Sequence, residues 1–399
     1  MKEPAQPQPG RWQTLPAEVT VAAVVHTPVS MMRMLDYAAL LEPDPRVRLE
    51  WTIAPDRFNT GTEQLLEKQR VSVVPWAQAL ERPYDLALTT SLHQVEFLQA
   101  KRKFAAPHGC GYGKRYPSWA WPAHENPPVY GLDRESLLDR DGRPVFDSVL
   151  LPHLADLAVL IQQCPEVAHT AIVGGDLAFD RLMAAGAYRE RYRLDFGVRR
   201  KQTLVALGST WGGESLLAKF RDLPNRLLTE LSADHKMIMT MHPAAWYEHG
   251  PRQIRAWMRD ANEAGLDFIG PGVDWRPLLA AADVFIGDHT SLTSYAAAAG
   301  VPVLLSHYSP DEIAPTSLIA ELAEVCPRLT DEPLPDQLAM ARQTRDAQQN
   351  VALARISAHP GRSALVVRKA LYRLIGLPEP DLPPRVDPMA RTELDLPDY

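Results

Sequence analysis

Two histidines stand where their surroundings could put them to chemical use. His108 lies in the run APHGCGYGKRY, just after an apolar stretch. Glycines at 109, 111 and 113 let the backbone turn sharply there and approach a ligand closely. Lys114 and Arg115 place positive charge beside that turn, as an anion site requires. The phosphate-loop template GxxxxGK(S/T) is not met, since position 108 is His rather than Gly and Arg115 replaces the hydroxyl residue; GxGxxG is not met either. A lone histidine after a strand is commonly structural, and it is the flanking glycines and cations that argue for a site. His242 closes the run MIMTMHP, at the carboxyl end of an apolar strand, where open parallel sheets present ligands; Pro243 ends the ladder. Its plain alternative is a histidine hydrogen-bonded at a strand end. Near neutrality an imidazole can remove the proton from an attacking hydroxyl.

Charge on a transferred group must be met as well, and two segments could do so. In GDHTSLTSYAAAAG a strand ends at Gly287-Asp288, and Thr290 or Ser291 caps a helix whose first N–H groups point outward. Hydroxyls at the positive end of a helix dipole form a phosphate site, although the same pattern also serves as an ordinary N-cap. LGSTWGGES repeats the strand-to-turn arrangement with Ser209, Thr210 and the amides of Gly212 and Gly213. Other patterns carry less. Asp139-Arg140-Asp141 matches a DxD metal motif, yet DRDGRP reads as a solvated turn. Cys110 is two residues from His108, but neighbours in a loop need not face one another, so a thiol nucleophile is not inferred. The 12 histidines include no HExxH pair, and no metal is expected.

These residues sit in strand–helix alternation. Strands are expected at 19–25, 48–55, 71–75, 85–91 and up to 107, with helices at 62–70 and 92–100 between them. A helix follows at 148–163. After TAIVGG and a helix from Asp176, alternation resumes at 202–210, 236–243, 245–264, DFIG, WRPLLAAA, 283–288, SLTSYAAAAG and VPVLLS. Helices at 336–357 and 362–376 complete the chain. Buried parallel strands read as continuous apolar runs, so the expectation is an α/β fold of two Rossmann-like domains, 18–195 and 196–360, with an interdomain cleft, a terminal helix at 361–377 and further C-terminal helices. Residues 1–17 and 378–399 read as proline-rich disordered tails, in a chain holding 36 prolines among 399 residues.

Composition excludes several classes. With 42 basic against 49 acidic residues the chain carries −7, contrary to a protein that coats nucleic acid. Three cysteines without a CxxC pair give neither a disulfide framework nor a zinc knuckle. No run approaches ~18 apolar residues, and the start, MKEPAQPQPGRWQTLP, lacks the apolar core of a secretion signal; a cytoplasmic protein is expected.

Taken in order, the motifs resemble the CDP-glycerol glycerophosphotransferase family, whose members build teichoic-acid polymers. An HG motif followed by lysine is matched by His108-Gly109 through Lys114, and a "GYPR"-like turn by GAYRERYRLDFG (186–197). A strand ending in "PTW" is matched by LGSTWGG (207–213), and an HP motif by His242-Pro243. The final segment, "LL..aDvlItDySS", is matched by LLAAADVFIGDHTSLTSYAAAAGVPVLL (278–305). The likeness spans residues 100–310. It implies the GT-B architecture, with His108 as general base and His242 supporting the phosphates. Gly109, Lys114, Ser209, Thr210, Asp288, Thr290 and Ser291 would then surround the donor. No cofactor is implied beyond the CDP-activated substrate, and the acceptor would be a hydroxyl, lipid-linked in such systems. Two departures stand out: the arginine that follows PTW is Gly212 here, and the tyrosine of DYSS is His289. His289 or Arg276 could compensate for the missing cation.

Three rival readings remain open. A GT-B glycosyltransferase, or a sugar-nucleotide 2-epimerase, would use a UDP- or GDP-sugar at the same helix. A non-catalytic nucleotide-binding or scaffold protein could be built on the same fold. RSALVVRKALYRLIGL (362–377) combines four basic residues with an apolar stripe. It could lie on an anionic membrane surface, though packing back across the two domains is the preferred expectation.

Overall fold

The computed structural model describes residues 17–116, 121–122 and 126–384. The tails expected at 1–17 and 378–399 lie outside these residues except for Ala17 and 378–384, which form neither helix nor strand.

Two parallel sheets carry the architecture. The first comprises β1 (Val19–Val25), β2 (Val47–Ile53), β3 (Tyr84–Thr89), β4 (Ala100–Ala105), β5 (Ser148–Leu151) and β6 (Ala171–Val173), in the order β2-β1-β3-β4-β5-β6. The second comprises β7 (Thr203–Ser209), β8 (His235–Met241), β9 (Leu266–Ile269), β10 (Val284–Gly287) and β11 (Val303–Leu305), ordered β11-β10-β7-β8-β9. Every neighbouring pair is parallel. Helices cover both faces of each sheet. One apolar cluster joins Val21, Val25 and Phe104 to helix residues Met34 and Leu371, and another joins Ala22, Val24 and Val149 to Leu160. Clusters around Leu204 and Ile238, and around Val205 and Met239, do the same for the second sheet. Burial on both faces is why these strands are apolar throughout rather than alternating.

Strand order reverses beside β1 in the first sheet and between β7 and β10 in the second. Side chains cannot fill the crevice that opens at such a reversal, so loops leaving the strands there are free to hold ligands.

The chain passes between the sheets twice, after β6 and again after the helix Arg345–Leu353. Helix Leu177–Ala185 places Phe179 and Leu182 in the second sheet's core. The last helix, Ser363–Ile375, returns to the first: Val367, Leu371, Tyr372 and Ile375 join its apolar cluster, the helix lying against β3 and β4, and the Tyr372 hydroxyl donates to Asp44 at 2.8 Å. Arg368 is buried too, bonded to Glu379 and to the Leu382 carbonyl. Most of the apolar stripe of 362–377 is therefore spent inside the protein, with Leu365 left exposed.

Some elements differ from expectation. Residues 71–75 make a single bridge, Val73 to Trp51, because Pro75 removes the next donor. Residues 92–100 form one short turn of helix, Val95–Phe97, before β4 begins. The helix expected from 148 starts at Leu154, after β5 and Pro152. That at 245–264 is divided at Gly250, whose φ of 83° suits glycine. That at 336–357 is two helices, Leu334–Gln343 and Arg345–Leu353.

Candidate active site

Both histidines open into one cavity of about 1080 Å³ between the sheets, which Lys114, Ser209, Thr210, Thr290 and Ser291 also line. His108 leaves the end of β4, and its Nδ1 lies 3.2 Å from the Thr90 carbonyl just past β3. A carbonyl can only accept, so Nδ1 carries the proton and Nε2 keeps its lone pair toward the cavity. The Thr90 hydroxyl donates to the Ser30 carbonyl at 2.8 Å, which fixes that carbonyl's neighbourhood. Desolvation lowers the pKa of His108; the Thr90 carbonyl opposes it and Arg33 and Lys114 reinforce it.

His242 shows the opposite tautomer. It follows β8, and its Nδ1 accepts the Ala244 N–H at 3.1 Å as an N-cap of helix Pro243–His249. The proton of the neutral ring is then on Nε2, which makes it a donor. Desolvation, with Lys114 and His108 adding repulsion, lowers its pKa to about 3. One imidazole accepts and the other donates, one from the end of each sheet, at the same cavity.

The loop after His108 is tied to both domains. Buried Arg33 donates to the Gly109 carbonyl at 2.9 Å and to Asp176 Oδ1 at 3.1 Å, and also bonds the Tyr295 hydroxyl; Tyr295 in turn donates to Asp176 Oδ2 at 2.6 Å. Across the cleft, the Cys110 N–H donates to Ser291 Oγ at 3.2 Å. Residues 113–115 pair with 312–314 through Ala314 N–H to the Gly113 carbonyl, 2.9 Å, and Arg115 N–H to the Glu312 carbonyl, 3.0 Å. A Cβ on Gly109 would come within 2.9 Å of Ser291 Oγ. Gly109→Val is expected to push this loop off the helix start and cut turnover by about 100-fold, with kinetics as the check, since an ångström of misplacement costs that much.

In the second domain Ser209 ends β7 and Thr210 begins the following turn, both largely buried at the cavity wall. Thr290 occupies the cap position of helix Ser291–Ala298 without its hydroxyl making the cap bond, so that hydroxyl is spared for a ligand. Asp288 has no such place, contrary to expectation. It is fully buried and takes the N–H groups of Thr210 at 2.8 Å, Leu216 at 2.7 Å and Thr290 at 3.0 Å. It braces the two turns against each other, and a carboxylate facing a phosphate would repel it. Arg276 cannot supply the missing cation either, because Asp36 (2.8 and 2.9 Å) and Asp274 (2.8–3.1 Å) consume its guanidinium. Gly212, at φ 82°, leaves open space where an arginine was expected.

Burial pushes the Cys110 thiol well up, which leaves it a poor nucleophile. Asp139 accepts the backbone N–H groups of Asp141 and Arg143 as a solvated turn. Among the described residues no three His, Cys, Asp or Glu side chains converge as metal ligands. The sequence reading missed Arg33, Asp176, Tyr295 and Trp211; the last stands at the rim with its ring 5.4 Å from Phe58 of the opposite domain and 5.2 Å below Lys114 Nζ. An arginine inside the apolar run MMRMLDYA was the one available signal of the Arg33 hub.

No protein-family model matches the chain, and no curated protein matches it by sequence. Solved structures do. The wall teichoic acid polymerase TagF superposes with a TM-score of 0.62 at 13% identity, covering 90% of this chain and 89% of that one. A TagF variant soaked with CDPG gives 0.61 at 13%, covering 90% of each. Anabaena HepE in complex with UDP-glucose gives 0.51 at 13%, covering 90% of this chain and 99% of that one. At such identity the likeness is one of fold: two Rossmann-like α/β domains of the GT-B type, arranged as in TagF.

Proposed function

We propose that the chain is a transferase that moves a polyol-phosphate group, glycerol-phosphate-like, from a CDP-activated donor to an acceptor hydroxyl. The observation that carries this reading is the pair of imidazoles of opposite tautomer, His108 and His242, facing one cavity beside the start of helix Ser291–Ala298. The shared fold with TagF, one structure of which was soaked with CDPG, supports it.

The chemistry follows from the tautomers. His108 Nε2 takes the acceptor's proton as its oxygen forms a bond to the donor's distal phosphorus, and the bond from that phosphorus to the bridging oxygen breaks. CMP leaves with the bond's electron pair, and a phosphodiester remains. His242 Nε2–H, Lys114, the Thr290 hydroxyl and the first N–H groups of the helix hold the developing charge without needing to reorganise. Closure between the domains keeps water from the donor. Thr90 and Arg33 act through others: one fixes the ring of His108, the other the loop that carries it.

A second reading, a glycosyltransferase or 2-epimerase using a UDP- or GDP-sugar, is supported by the fold shared with HepE and by the open space at Gly212. Melting curves with CDP, UDP and GDP separate the two. A ligand present at a hundred times its Kd adds about 2.7 kcal/mol. CDP is expected to raise the transition by several degrees, and CMP to appear on incubation with CDP-glycerol and a polyol acceptor. Stabilisation by UDP or GDP alone would favour the second reading, and binding without turnover of any donor would leave a nucleotide-binding scaffold.

A further inference from the structure

Lys114 and the imidazole of His289, near the start of helix Ser291–Ala298, converge on a carboxylate of the protein itself. Lys114 Nζ lies 3.8 Å from Glu312 Oε2, and His289 Nε2 lies 3.5 Å from the same oxygen. His289 is 3% exposed, and neither ring nitrogen has a hydrogen-bond partner; the distance to Glu312 falls within ion-pair range but outside hydrogen-bond geometry. A buried imidazole without partners is costly, and such a group calls for an occupant. Its charged neighbours besides Glu312 are engaged with other partners. His307 meets it edge-on, with ring centroids 6.2 Å apart, and is itself bound to Glu214 at 2.7 Å. Asp288, the residue before it, is saturated by three backbone N–H groups. Arg33 and Arg276 are engaged elsewhere.

Glu312 is the odd group in this set. A negative charge lining a cavity built for phosphate opposes the ligand, and the imidazole beside it, with Lys114 adding attraction, holds its carboxyl below the ordinary range, so it stays charged. Its backbone is pinned to the loop at Arg115, but the side chain is only half-buried and can turn to water. We infer that Glu312 occupies, in the free protein, the position of a phosphate oxygen of the donor, and that His289 and Lys114 pass from the carboxylate to that phosphate when the donor binds. His289 thereby serves as the donor-binding N–H group in place of the arginine that position 212 lacks, and Glu312 sets a threshold: an occupant must be anionic enough to displace it. The inference rests on the nucleotide-diphosphate reading above.

Calorimetric titration of the full chain tests it. The nucleoside diphosphate that binds the parent, among CDP, UDP and GDP, is titrated into His289→Gln and Glu312→Gln, with the corresponding nucleoside as the uncharged control. A charge-assisted hydrogen bond is worth roughly ten- to a hundredfold in affinity. His289→Gln is expected to weaken the diphosphate by about that factor, and Glu312→Gln to tighten it about tenfold, with the nucleoside moved by neither. In the double variant the gain from Glu312→Gln shrinks, because only Lys114 remains to be released. Parent-like binding in His289→Gln, or unchanged or weaker binding in Glu312→Gln, overturns the inference; should His289→Gln fail to fold, Glu312→Gln decides alone. If no nucleotide binds the parent, the transferase reading fails, and inorganic pyrophosphate then probes the anion position by itself: tightening in Glu312→Gln upholds the exchange, and parent-like binding ends it.

Discussion

His108→Ala is expected to lower turnover by about 10²–10⁴-fold while nucleotide affinity stays close to the parent's. The separation follows from where the ring is held. It hangs from the first domain through the Thr90 carbonyl, whereas Thr210, Thr290 and His242 belong to the second. Removing the ring takes away the proton acceptor and leaves the phosphate contacts standing. CMP release and calorimetry on the same variant check both halves, and near-normal turnover would end the assignment. The pH profile gives an independent sign. The base works only as neutral imidazole, and desolvation holds its pKa below the ordinary histidine value, against the pull of the Thr90 carbonyl. The parent should therefore keep its rate as pH falls through the usual histidine range and lose it only at the lower, shifted value. His108→Ala should lack that acid limb.

Asp36→Ala should cost about 3–5 kcal/mol of stability. Asp36 sits buried on helix Pro28–Ala38 of the first domain and receives Arg276 of the second at 2.8 and 2.9 Å, together with Arg181. Deleting the carboxylate leaves the buried Arg276 with Asp274 alone and takes from Arg181 its acidic partner, so the loss comes from charges left less well paired more than from the contact removed. Burial alone would raise its pKa, but Arg276, Arg181 and Arg33 outweigh that and lower it. Its contribution is therefore complete above the unfolded carboxyl pKa and vanishes as pH falls through the lower folded value. Denaturant unfolding of parent and variant at neutral pH, repeated in acid, tests both statements. A loss below about 1 kcal/mol would mean the pair is no better than a surface bridge.

How far the sequence could be read depended on whether each signal was local. β1, β7, β8 and β10 were legible because strands covered on both faces are runs of valine, leucine, isoleucine and methionine, and the meeting of His108, His242, Thr290 and Ser291 at one cavity was legible because each lies in the segment that follows a strand. Segments 71–75 and 92–100 misled because a short apolar run with proline or a polar flank does not reveal whether a neighbour exists to pair with. Asp288 was misassigned for a related reason. From sequence it is a polar residue after a strand, and only the fold shows that three N–H groups already fill its oxygens. The hub of Arg33, Asp176 and Tyr295 was out of reach as a unit, since its members come from three distant parts of the chain and only Arg33, a charge inside an apolar run, hinted at it.

The return of helix Ser363–Ile375 to the first sheet also governs the order in which the two lobes finish folding during synthesis. The second sheet's core is complete by about residue 356, whereas the first, although translated earliest, lacks part of the cover for Leu86 and Phe104 until Leu371 and Ile375 are made. The lobe made first must therefore finish folding last, and a nascent chain stalled ahead of that helix would expose an apolar surface for chaperones to hold.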